Sequence, residues 1–246
     1  PPRLSSLDTK VRLLQDLGLR HLVCFPFTRE LAELSPAEFL ERYFFIPGLT
    51  VTAFCVGQNW RFGKGNSGNG ALLAELGRAR GVATSVVPSV RYGSDVVSST
   101  RIRQAVAAGE LDLARAMLGR PYSINGVVSH GRGVGGKVLK CPTANIVDHG
   151  LLLPPFGIYA ARGRVGQRLL DGVVYIGDAP TIRHDGNPEV IVELHLFSFA
   201  ADLYGKQIEV LFYRFLRPSM IFADTESLSA QIQRDIKAAR LALLDE

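Results

Sequence analysis

The segment from His130 to Asn145, HGRGVGGKVLKCPTAN, holds the residues of this chain that are best suited to contact phosphate. It follows a strand-like run over Tyr122–Ser129 and ends in a Pro-Thr-Ala-Asn sequence. Glycines allow backbone N–H groups to approach phosphate oxygens closely, and a lysine adds positive charge. The residues in question are Gly131, Gly133, Gly136 and Lys137. The composition of this loop therefore predicts phosphate binding.

Two familiar phosphate-binding motifs fit the spacing of these glycines, and the surrounding sequence argues against both. Gly131 and Gly136-Lys137 have the spacing of a Walker A loop, but Val138 takes the place of the hydroxyl that binds magnesium. The glycines also satisfy G-x-G-x-x-G, which is a weak match in a chain with 25 glycines. Both motifs need a helix directly after the loop, and Pro142 interrupts any helix there. A flexible hairpin loop is the alternative that composition alone favours.

Thr143 and Asn145, at the end of the loop, offer a hydroxyl and an amide carbonyl oxygen. Mg²⁺ accepts hard oxygen ligands of this kind together with phosphate oxygens and water. A proline-initiated turn with local side-chain caps explains the same two residues without a metal. The residues by themselves leave both interpretations open.

The first 118 residues have the pattern of an α/β region. Continuous apolar runs of strand length occur at His21–Phe27, Val51–Val56 and Val82–Val87, and helical segments lie between them. Ser35 and Glu38 have the spacing of a capping box, which predicts the start of one of these helices. Apolar strands that alternate with helices favour a parallel sheet covered on both faces. We therefore expect an α/β domain in this part of the chain.

The pattern changes after Gly119, where strand-like segments recur without helices between them. They cover Tyr122–Ser129, Gly157–Val165, Arg168–Ile176, Val190–Phe197 and Gln207–Phe215. Such a succession predicts an antiparallel sheet, and closure into a small barrel would remove its edges. From Asp224 onwards, an apolar stripe at helical spacing predicts a final helix that packs against the barrel.

The composition of the 246 residues, 47% hydrophobic and 21% charged, is that of a globular chain with room for two domains. A formal net charge of +5 fits a protein that handles anionic small molecules, and also one that touches nucleic acid. The three cysteines, Cys24, Cys55 and Cys141, lack the spacing of a zinc site or a disulfide framework. No apolar run reaches the ~20 residues of a membrane span, and the first residues do not resemble a secretory signal, so we expect a cytoplasmic protein.

Ordered motifs along the whole chain resemble those of one enzyme family. In the second half the motifs are Gly126-Val127-Val128, Gly136-Lys137-Val138-Leu139, Pro142-Thr143-Ala144-Asn145, Pro154–Tyr159, Ile176-Gly177, Val192–His195, Asp202–Gly205 and Leu216-Arg217-Pro218. In the first half they are Gly57–Gly63 and Ser98–Arg103. This series resembles the bacterial bifunctional riboflavin kinase/FMN adenylyltransferases, also called FAD synthetases. The resemblance implies a partial Rossmann-like nucleotidyltransferase domain over residues 1–118. It also implies a riboflavin-kinase-like closed antiparallel β-barrel with a C-terminal helix over residues 119–246.

The resemblance implies that the second domain transfers the γ-phosphate of ATP to riboflavin, which gives FMN, with Mg²⁺ as the metal. It assigns ATP binding to Gly131, Gly133, Gly136, Lys137, Thr143 and Asn145, and it makes the last two metal ligands as well. Glu193 is the candidate general base, because a carboxylate near the transferred phosphate can take the proton of the attacking hydroxyl. Period-two alternation places Glu193 and His195 on one face of their strand. A solvated outer face is the alternative explanation of this glutamate.

Further site residues follow from the same resemblance. Arg217 and Phe222 correspond to residues that close over the flavin, and Phe222 offers aromatic stacking. The alternatives are a surface cation and an anchor for the last helix. In the first domain, nucleotide binding is assigned to Asn59, Arg61, Phe62, Ser98, Ser99, Thr100, Arg101 and Arg103. The last five open a helix whose free N–H groups form an anion site, although a well-capped helix explains them equally well.

Some positions depart from the family pattern. Lys140 and Cys141 replace a glycine and a phenylalanine before the Pro-Thr-Ala-Asn motif, and Ser219 replaces an acidic residue. The histidine motif of the adenylyltransferase half should lie N-terminal to Pro1, so we expect kinase activity, with FMN adenylylation to FAD only if that motif exists. A non-catalytic flavin or nucleotide binder is the alternative. We expect riboflavin and ATP as partners, no nucleic acid and no membrane, and the sequence does not predict the oligomeric state.

Overall fold

A computed structural model describes residues 1–129, 143–148, 150–182, 188–244 and 246 of the chain. These residues form two compact units. The first, called the barrel unit here, combines Pro1–Arg20 with Ser98–Glu246, and the second, called the small unit, is His21–Val97. Each unit has its own apolar core and its own strands, which form one closed barrel in the barrel unit and two separate pairs in the small unit.

The helices are, in chain order, α1 (Leu7–Asp16), α2 (Arg29–Glu33), α3 (Pro36–Tyr43), α4 (Gly70–Arg78), α5 (Ser99–Ala108), α6 (Leu111–Leu118) and α7 (Thr225–Leu244). The strands are β1 (Ala53–Gly57), β2 (Ala83–Val87), β3 (Arg91–Tyr92), β4 (Asp95–Val96), β5 (Tyr122–Ser129), β6 (Ala144–Asp148), β7 (Gly157–Val165), β8 (Arg168–Ile182), β9 (Pro188–Leu196) and β10 (Gln207–Arg217).

The small unit is built around one βαβ element. Strands β1 and β2 pair in parallel, with Ala53 opposite Ala83, and α4 connects them. The predicted parallel pairing is therefore confirmed. The predicted capping box is also present at the start of α3, where Ser35 accepts from the backbone of Glu38 and the Glu38 side chain accepts from the backbone of Ser35. The core of this unit consists of Leu40, Phe54, Phe62, Leu73 and Val82.

The predicted strand at His21–Phe27 is wrong. The segment has extended backbone without sheet pairing, and its apolar side chains face solvent, with Phe27 85% and Val23 68% exposed. A strand needs a neighbour that satisfies its backbone N–H and C=O groups. Within the described residues the small unit has one parallel pair and one short hairpin, and neither extends to this segment. An apolar run predicts a buried strand only where a partner strand is available.

The barrel unit contains the predicted closed antiparallel barrel. Its six strands follow the order β10-β5-β6-β9-β8-β7, and every described neighbouring pair is antiparallel. Inward-facing side chains alternate with outward-facing ones, so that Tyr159, Ile176 and Val192 are almost completely buried. Gly126 allows β5 and β6 to cross closely, because a Cβ there would lie 2.3 Å from the carbonyl oxygen of Val147.

Helix α7 covers part of the outer surface of the barrel. Its buried residues Ala239, Ala242 and Leu243 pack on Ala160 and Leu211 of the sheet. This confirms the predicted final helix and its packing surface. On another part of the barrel, α1 is held by an ion pair of Arg12 with Glu209 and by a hydrogen bond from Thr9 to Asn125.

Candidate active site

One row of side chains crosses the outer surface of the barrel. Asn145 on β6 is the Cα partner of Glu193 on β9, which is in turn the partner of Tyr175 on β8. Tyr175 pairs with Ile158 on β7, and Ile158 pairs with Arg217 at the end of β10. Directly opposed residues point to the same face of a sheet, so these five side chains form one continuous row. We call it the outer row; all five members are half-buried.

Glu193 lies on the outer face of β9. Its neighbours Val192 and Leu194 are each 1% exposed and fill the barrel interior, which confirms the predicted alternation along this strand. Glu193 is half-buried, and this burial raises the pKa of its carboxyl above the ordinary value. No hydrogen bond from another described residue reaches its side chain. A carboxylate with a raised pKa and free oxygen atoms has the properties of a proton acceptor.

Tyr175 lies beside Glu193 in the outer row, and its ring extends along β8 over Gly177. A Cβ at residue 177 would lie 2.0 Å from the Tyr175 hydroxyl, so only glycine leaves room for this ring position. The aromatic ring therefore lies over the backbone of β8 at residue 177, which is the partner of Ile191 on β9.

Asn145 and Thr143 fit the requirements of a magnesium site by their chemistry. Thr143 directly precedes β6, and the register places Asn145 opposite Glu193. Their oxygen atoms are hard ligands, and two such ligands suit an ion that keeps several waters and binds substrate phosphates. Among the described residues, no group of three or more His, Cys, Asp or Glu side chains can hold a metal ion. Thr143 and Asn145 offer oxygen atoms that would hold Mg²⁺ alongside phosphate oxygens.

Arg217 ends the outer row and is tightly bound to α7. Its Nε donates to Oδ1 of Asp235 at 2.9 Å, and its Nη2 donates to Oδ2 at 2.6 Å. Its Nη1 donates to the carbonyl oxygen of Pro218 at 2.8 Å. The guanidinium carbon lies 6.0 Å from the centre of the Phe222 ring. Arg217 and Phe222, which the resemblance assigned to the flavin, therefore lie together at one end of the row.

The remaining residues proposed for the kinase site lie outside the described part of the chain. They are Gly131, Gly133, Gly136 and Lys137, together with the departures Lys140 and Cys141. Their predicted roles stay predictions.

In the small unit, Asn59, Arg61 and Phe62 follow the carboxyl end of β1. Asn59 Nδ2 donates to Ser89 Oγ at 3.5 Å, and Arg61 Nη1 donates to the carbonyl oxygen of Trp60 at 2.9 Å. Phe62 is 6% exposed, and its ring stacks on that of Trp60 with 4.5 Å between the ring centres. Asn59 and Arg61 are therefore surface residues, whereas Phe62 belongs to the core.

In the barrel unit, the predicted helix start at residues 98–100 is confirmed. Ser98 is the N-cap of α5, and its Oγ accepts from the backbone N–H of Arg101 at 3.3 Å. Ser99 and Thr100 are exposed in the first turn, and Arg103 Nε donates to the carbonyl oxygen of Pro2 at 2.9 Å. The nucleotide-binding residues predicted for the first domain thus belong to two different compact units.

Two family models match the chain. The model described as riboflavin kinase matches residues 118–243, and the model described as FAD synthetase matches residues 1–101. The chain is 35% identical over 241 residues to a bifunctional riboflavin kinase/FMN adenylyltransferase of Escherichia coli (strain K12), which covers 98% of this chain and 75% of that protein. The chain belongs to the bifunctional riboflavin kinase/FMN adenylyltransferase family. The predicted resemblance is therefore confirmed, and so is the prediction of a riboflavin kinase within a bifunctional FAD synthetase.

A second member of the family and one solved structure are also similar to this chain. A bifunctional riboflavin kinase/FMN adenylyltransferase of Listeria monocytogenes is 33% identical over 238 residues, covering 96% of this chain and 74% of that protein. A crystal structure of a Streptococcus pneumoniae protein named macrolide-efflux protein matches with a TM-score of 0.82 and 26% identity. That match covers 96% of this chain and 75% of the other.

In the described residues, no helix has the length and apolar character required to cross a membrane.

The sequence motifs do not point to two residues of the outer surface. Residue patterns predict Tyr175 only as part of a strand, although Gly177, two residues further along the same face, is a sign of close packing. Asp235 lies beside the apolar stripe that predicts α7 as a packing surface, so the stripe does not reveal it. An acidic residue at the edge of such a stripe is the signal that would have found it, since a buried carboxylate requires a partner.

Proposed function

We propose that the outer row of the barrel is the site where this enzyme phosphorylates riboflavin. The observation that carries this proposal is the direct pairing of Asn145 with Glu193 across β6 and β9. In this proposal Asn145 is a magnesium ligand and Glu193 a proton acceptor, and their pairing supports a joint role at one point of the outer face. Phosphoryl transfer depends mainly on positioning and on neutralisation of charge, and these two side chains can serve both needs.

In this proposal Glu193 removes the proton from the terminal hydroxyl of the ribityl chain. The hydroxyl oxygen forms a bond to the γ-phosphorus of ATP while the bond between that phosphorus and the β,γ-bridging oxygen breaks, which yields FMN and ADP. The proton remains on the Glu193 carboxyl until solvent takes it. Mg²⁺, held by Thr143 and Asn145, would neutralise charge on the phosphates. Burial of Glu193 supports its role, because a raised pKa strengthens the carboxylate as a base.

The opposite end of the row supports the binding of the flavin ring. Glu193 and Arg217 are separated by three strand-to-strand steps, which is roughly 14 Å along the sheet at ~4.8 Å a step. An elongated substrate can therefore place its ribityl end at Glu193 and its ring system near Arg217 and Phe222. Gly131, Gly133, Gly136 and Lys137 complete this proposal as residues that bind ATP.

The same proposal divides the chain by activity at residue 118. Residues 119–246 would carry the kinase, and residues 1–118 would carry the FMN adenylyltransferase function. Nucleotide binding is proposed for Asn59 and Arg61 on the surface of the small unit, with Phe62 supporting them from the core. It is proposed separately for Ser98, Ser99, Thr100, Arg101 and Arg103 at the start of α5. The exposed first turn of α5 supports this use, because free N–H groups at a helix N-terminus favour anions.

A cytoplasmic location is part of the same proposal and agrees with the absence of paired cysteine motifs.

The test is the formation of FMN from riboflavin, ATP and Mg²⁺, followed by chromatography. We expect the wild type to produce FMN and Glu193→Gln to lose about 10²–10⁴-fold in kcat, the usual contribution of a general base. Riboflavin binding, measured by fluorescence quenching, should be retained. Glu226→Gln, an exposed carboxylate in the first turn of α7, is the control and should keep the wild-type rate. A Glu193→Gln enzyme with wild-type kcat would exclude Glu193 as the base, and binding without turnover in the wild type would leave a flavin binder.

A further inference from the structure

Asp235 is an acidic side chain buried against the barrel. It lies in the middle of α7 and is 6% exposed. Carboxylates are rarely buried to this degree without a partner. Its neighbours on the same helix face, Ile236 and Ala239, pack into the apolar cluster between helix and sheet. An acidic residue at this position therefore calls for a specific explanation.

The partner of Asp235 is Arg217, the last residue of the outer row. The two side chains form a bidentate pair with donor–acceptor distances of 2.9 and 2.6 Å, and only 16% and 8% of their side-chain surfaces are exposed. Gln231, one turn earlier in α7, donates to Oδ1 of Asp235 at 2.9 Å. The carbonyl oxygen of Pro218 accepts from Nη1 of Arg217 at 2.8 Å. These contacts fix the plane of the guanidinium group, because a bidentate pair restricts rotation as well as distance.

Helix α7 also has other attachments to the barrel. The apolar cluster that includes Ala239, Ala242 and Leu243 already holds α7 on the barrel. Arg162 of β7 adds a second polar attachment, since its Nη2 donates to the carbonyl oxygen of Leu243 at 3.0 Å. Buried ion pairs are often no more stabilising than apolar residues of similar volume. The Arg217–Asp235 pair is therefore better explained by the orientation that it gives to Arg217.

We propose that Asp235 is a positioning residue for the riboflavin site, which acts by holding the Arg217 guanidinium in a fixed orientation at the end of the outer row. This inference rests on the proposed function, in which the flavin ring lies near Arg217 and Phe222. An arginine has five N–H donors, and the contacts to Asp235 and Pro218 use the side that faces α7 and the chain after β10. The remaining N–H groups of Arg217 can then donate to acceptor atoms of the flavin from a single side-chain rotamer. Preorganisation of this kind strengthens binding because less side-chain entropy is lost.

The test is a comparison of Asp235→Asn with the wild type in steady-state kinetics. Asparagine keeps the size of the side chain and removes its charge and one of its two acceptor oxygens. We expect the KM for riboflavin to rise about tenfold or more, the effect of a lost charge-assisted hydrogen bond, whereas the KM for ATP and kcat stay within about twofold. Asp235→Glu should restore part of the affinity. Gln231→Ala, which removes only the supporting hydrogen bond, should raise the same KM by about two- to threefold.

Asp171→Asn is the matched control. Asp171 lies on β8 and accepts from Arg162 Nε at 2.8 Å, so it supports the other arginine that contacts α7. We expect this variant to keep the wild-type KM for riboflavin. If Asp235→Asn lowers the melting temperature but leaves the KM for riboflavin unchanged, Asp235 is only a helix anchor and the inference is overturned. If the Asp235→Asn variant does not fold, an unchanged KM for riboflavin in Gln231→Ala also overturns the inference.

Riboflavin binding separates this inference from the proposed function. Fluorescence quenching measures the Kd of riboflavin for wild type and variants without turnover. A wild type that binds riboflavin but forms no FMN would contradict the proposed function, and an increase in Kd for Asp235→Asn would still support the positioning role. An active wild type whose Asp235→Asn variant has the same Kd and the same KM would refute the positioning role alone.

Discussion

The barrel unit and the small unit differ in whether their sheets have unpaired edge strands. Each of the six barrel strands has two neighbours, and interior residues such as Tyr159 and Ile176 have no exposed surface. The small unit has a single parallel pair, and both the residues of β2 and the apolar run His21–Phe27 are largely exposed. Closure gives every strand a partner and a buried face, whereas an open pair leaves backbone and apolar groups in water.

The two units also differ in the burial of their ion pairs. Glu209 of β10 is 5% exposed and accepts hydrogen bonds from Arg12 of α1, Arg164 of β7 and Ser123 of β5 at 2.8–2.9 Å. It holds α1 on the barrel. In the small unit, the pair of Lys64 with Glu33 is about two-thirds exposed at both ends. Loss of one member of the buried Glu209 network should therefore lower the free energy of unfolding strongly. The exposed Lys64–Glu33 pair contributes little, because solvent weakens the attraction between its charges.

The largest expected effect is that of removing Glu209. Glu209→Ala leaves the charges of Arg12 and Arg164 without their common partner, so we expect a loss of about 3–5 kcal/mol in the free energy of unfolding of the barrel unit. Glu33→Ala in the small unit should cost no more than about 1 kcal/mol. Chemical denaturation of both variants measures the difference. Equal, small losses would show that burial does not distinguish the two charge pairs.

A core substitution compares the apolar parts of the two units. Ile176→Ala in the barrel interior should cost about 2–5 kcal/mol, because it removes buried methyl groups and leaves a cavity. Phe27→Ala in the small unit removes a larger side chain that is 85% exposed, and we expect a change within about 0.5 kcal/mol. The measurement is again denaturant unfolding, observed separately for each unit. A strongly destabilising Phe27→Ala would mean that residues 21–27 are covered in solution.

The smallest expected effect concerns the pH dependence of stability through Glu193. Burial raises the pKa of this carboxyl in the folded protein, so the folded state binds its proton at a higher pH than the unfolded chain does. As the pH falls through the raised pKa, the wild type should gain stability relative to Glu193→Gln, and the gain should level off below the pKa of the unfolded chain. Thermal unfolding between pH 4 and 8, without Mg²⁺ or nucleotide, measures this difference. A difference that does not vary with pH, or one of opposite sign, would contradict a raised pKa.

Much of the fold was predictable from local patterns. The bounds of β5 and β7 agree with the predicted segments, because alternating apolar residues between turn residues specify a half-buried strand. The prediction of a barrel followed from the number of strands without intervening helices. The short strand β6 was not predicted as a strand, since Ala144–Asp148 directly follows the loop and its pairing comes from distant β5 and β9.

The candidate site was predictable in its residue types but not in its arrangement. Alternation placed Glu193 on one face of its strand, and it could not indicate which residues lie beside it. The order of strands in the barrel decides that Asn145 and Tyr175 flank Glu193, and this order depends on pairing between segments far apart in sequence. Phe62 illustrates the opposite case, since a motif residue turned out to be part of a hydrophobic core.

The sequence by itself determined the family, most strands of the barrel with the final helix, and the residues with suitable chemistry. These depend on residue types and local spacing, which a single chain displays directly. Only the tertiary structure decided that His21–Phe27 is exposed, that one row joins Asn145 to Arg217, and that Arg217 is bound to Asp235. The physical reason is that burial, strand register and ion pairing are properties of pairs of segments, and they are settled only when the chain has brought those segments together.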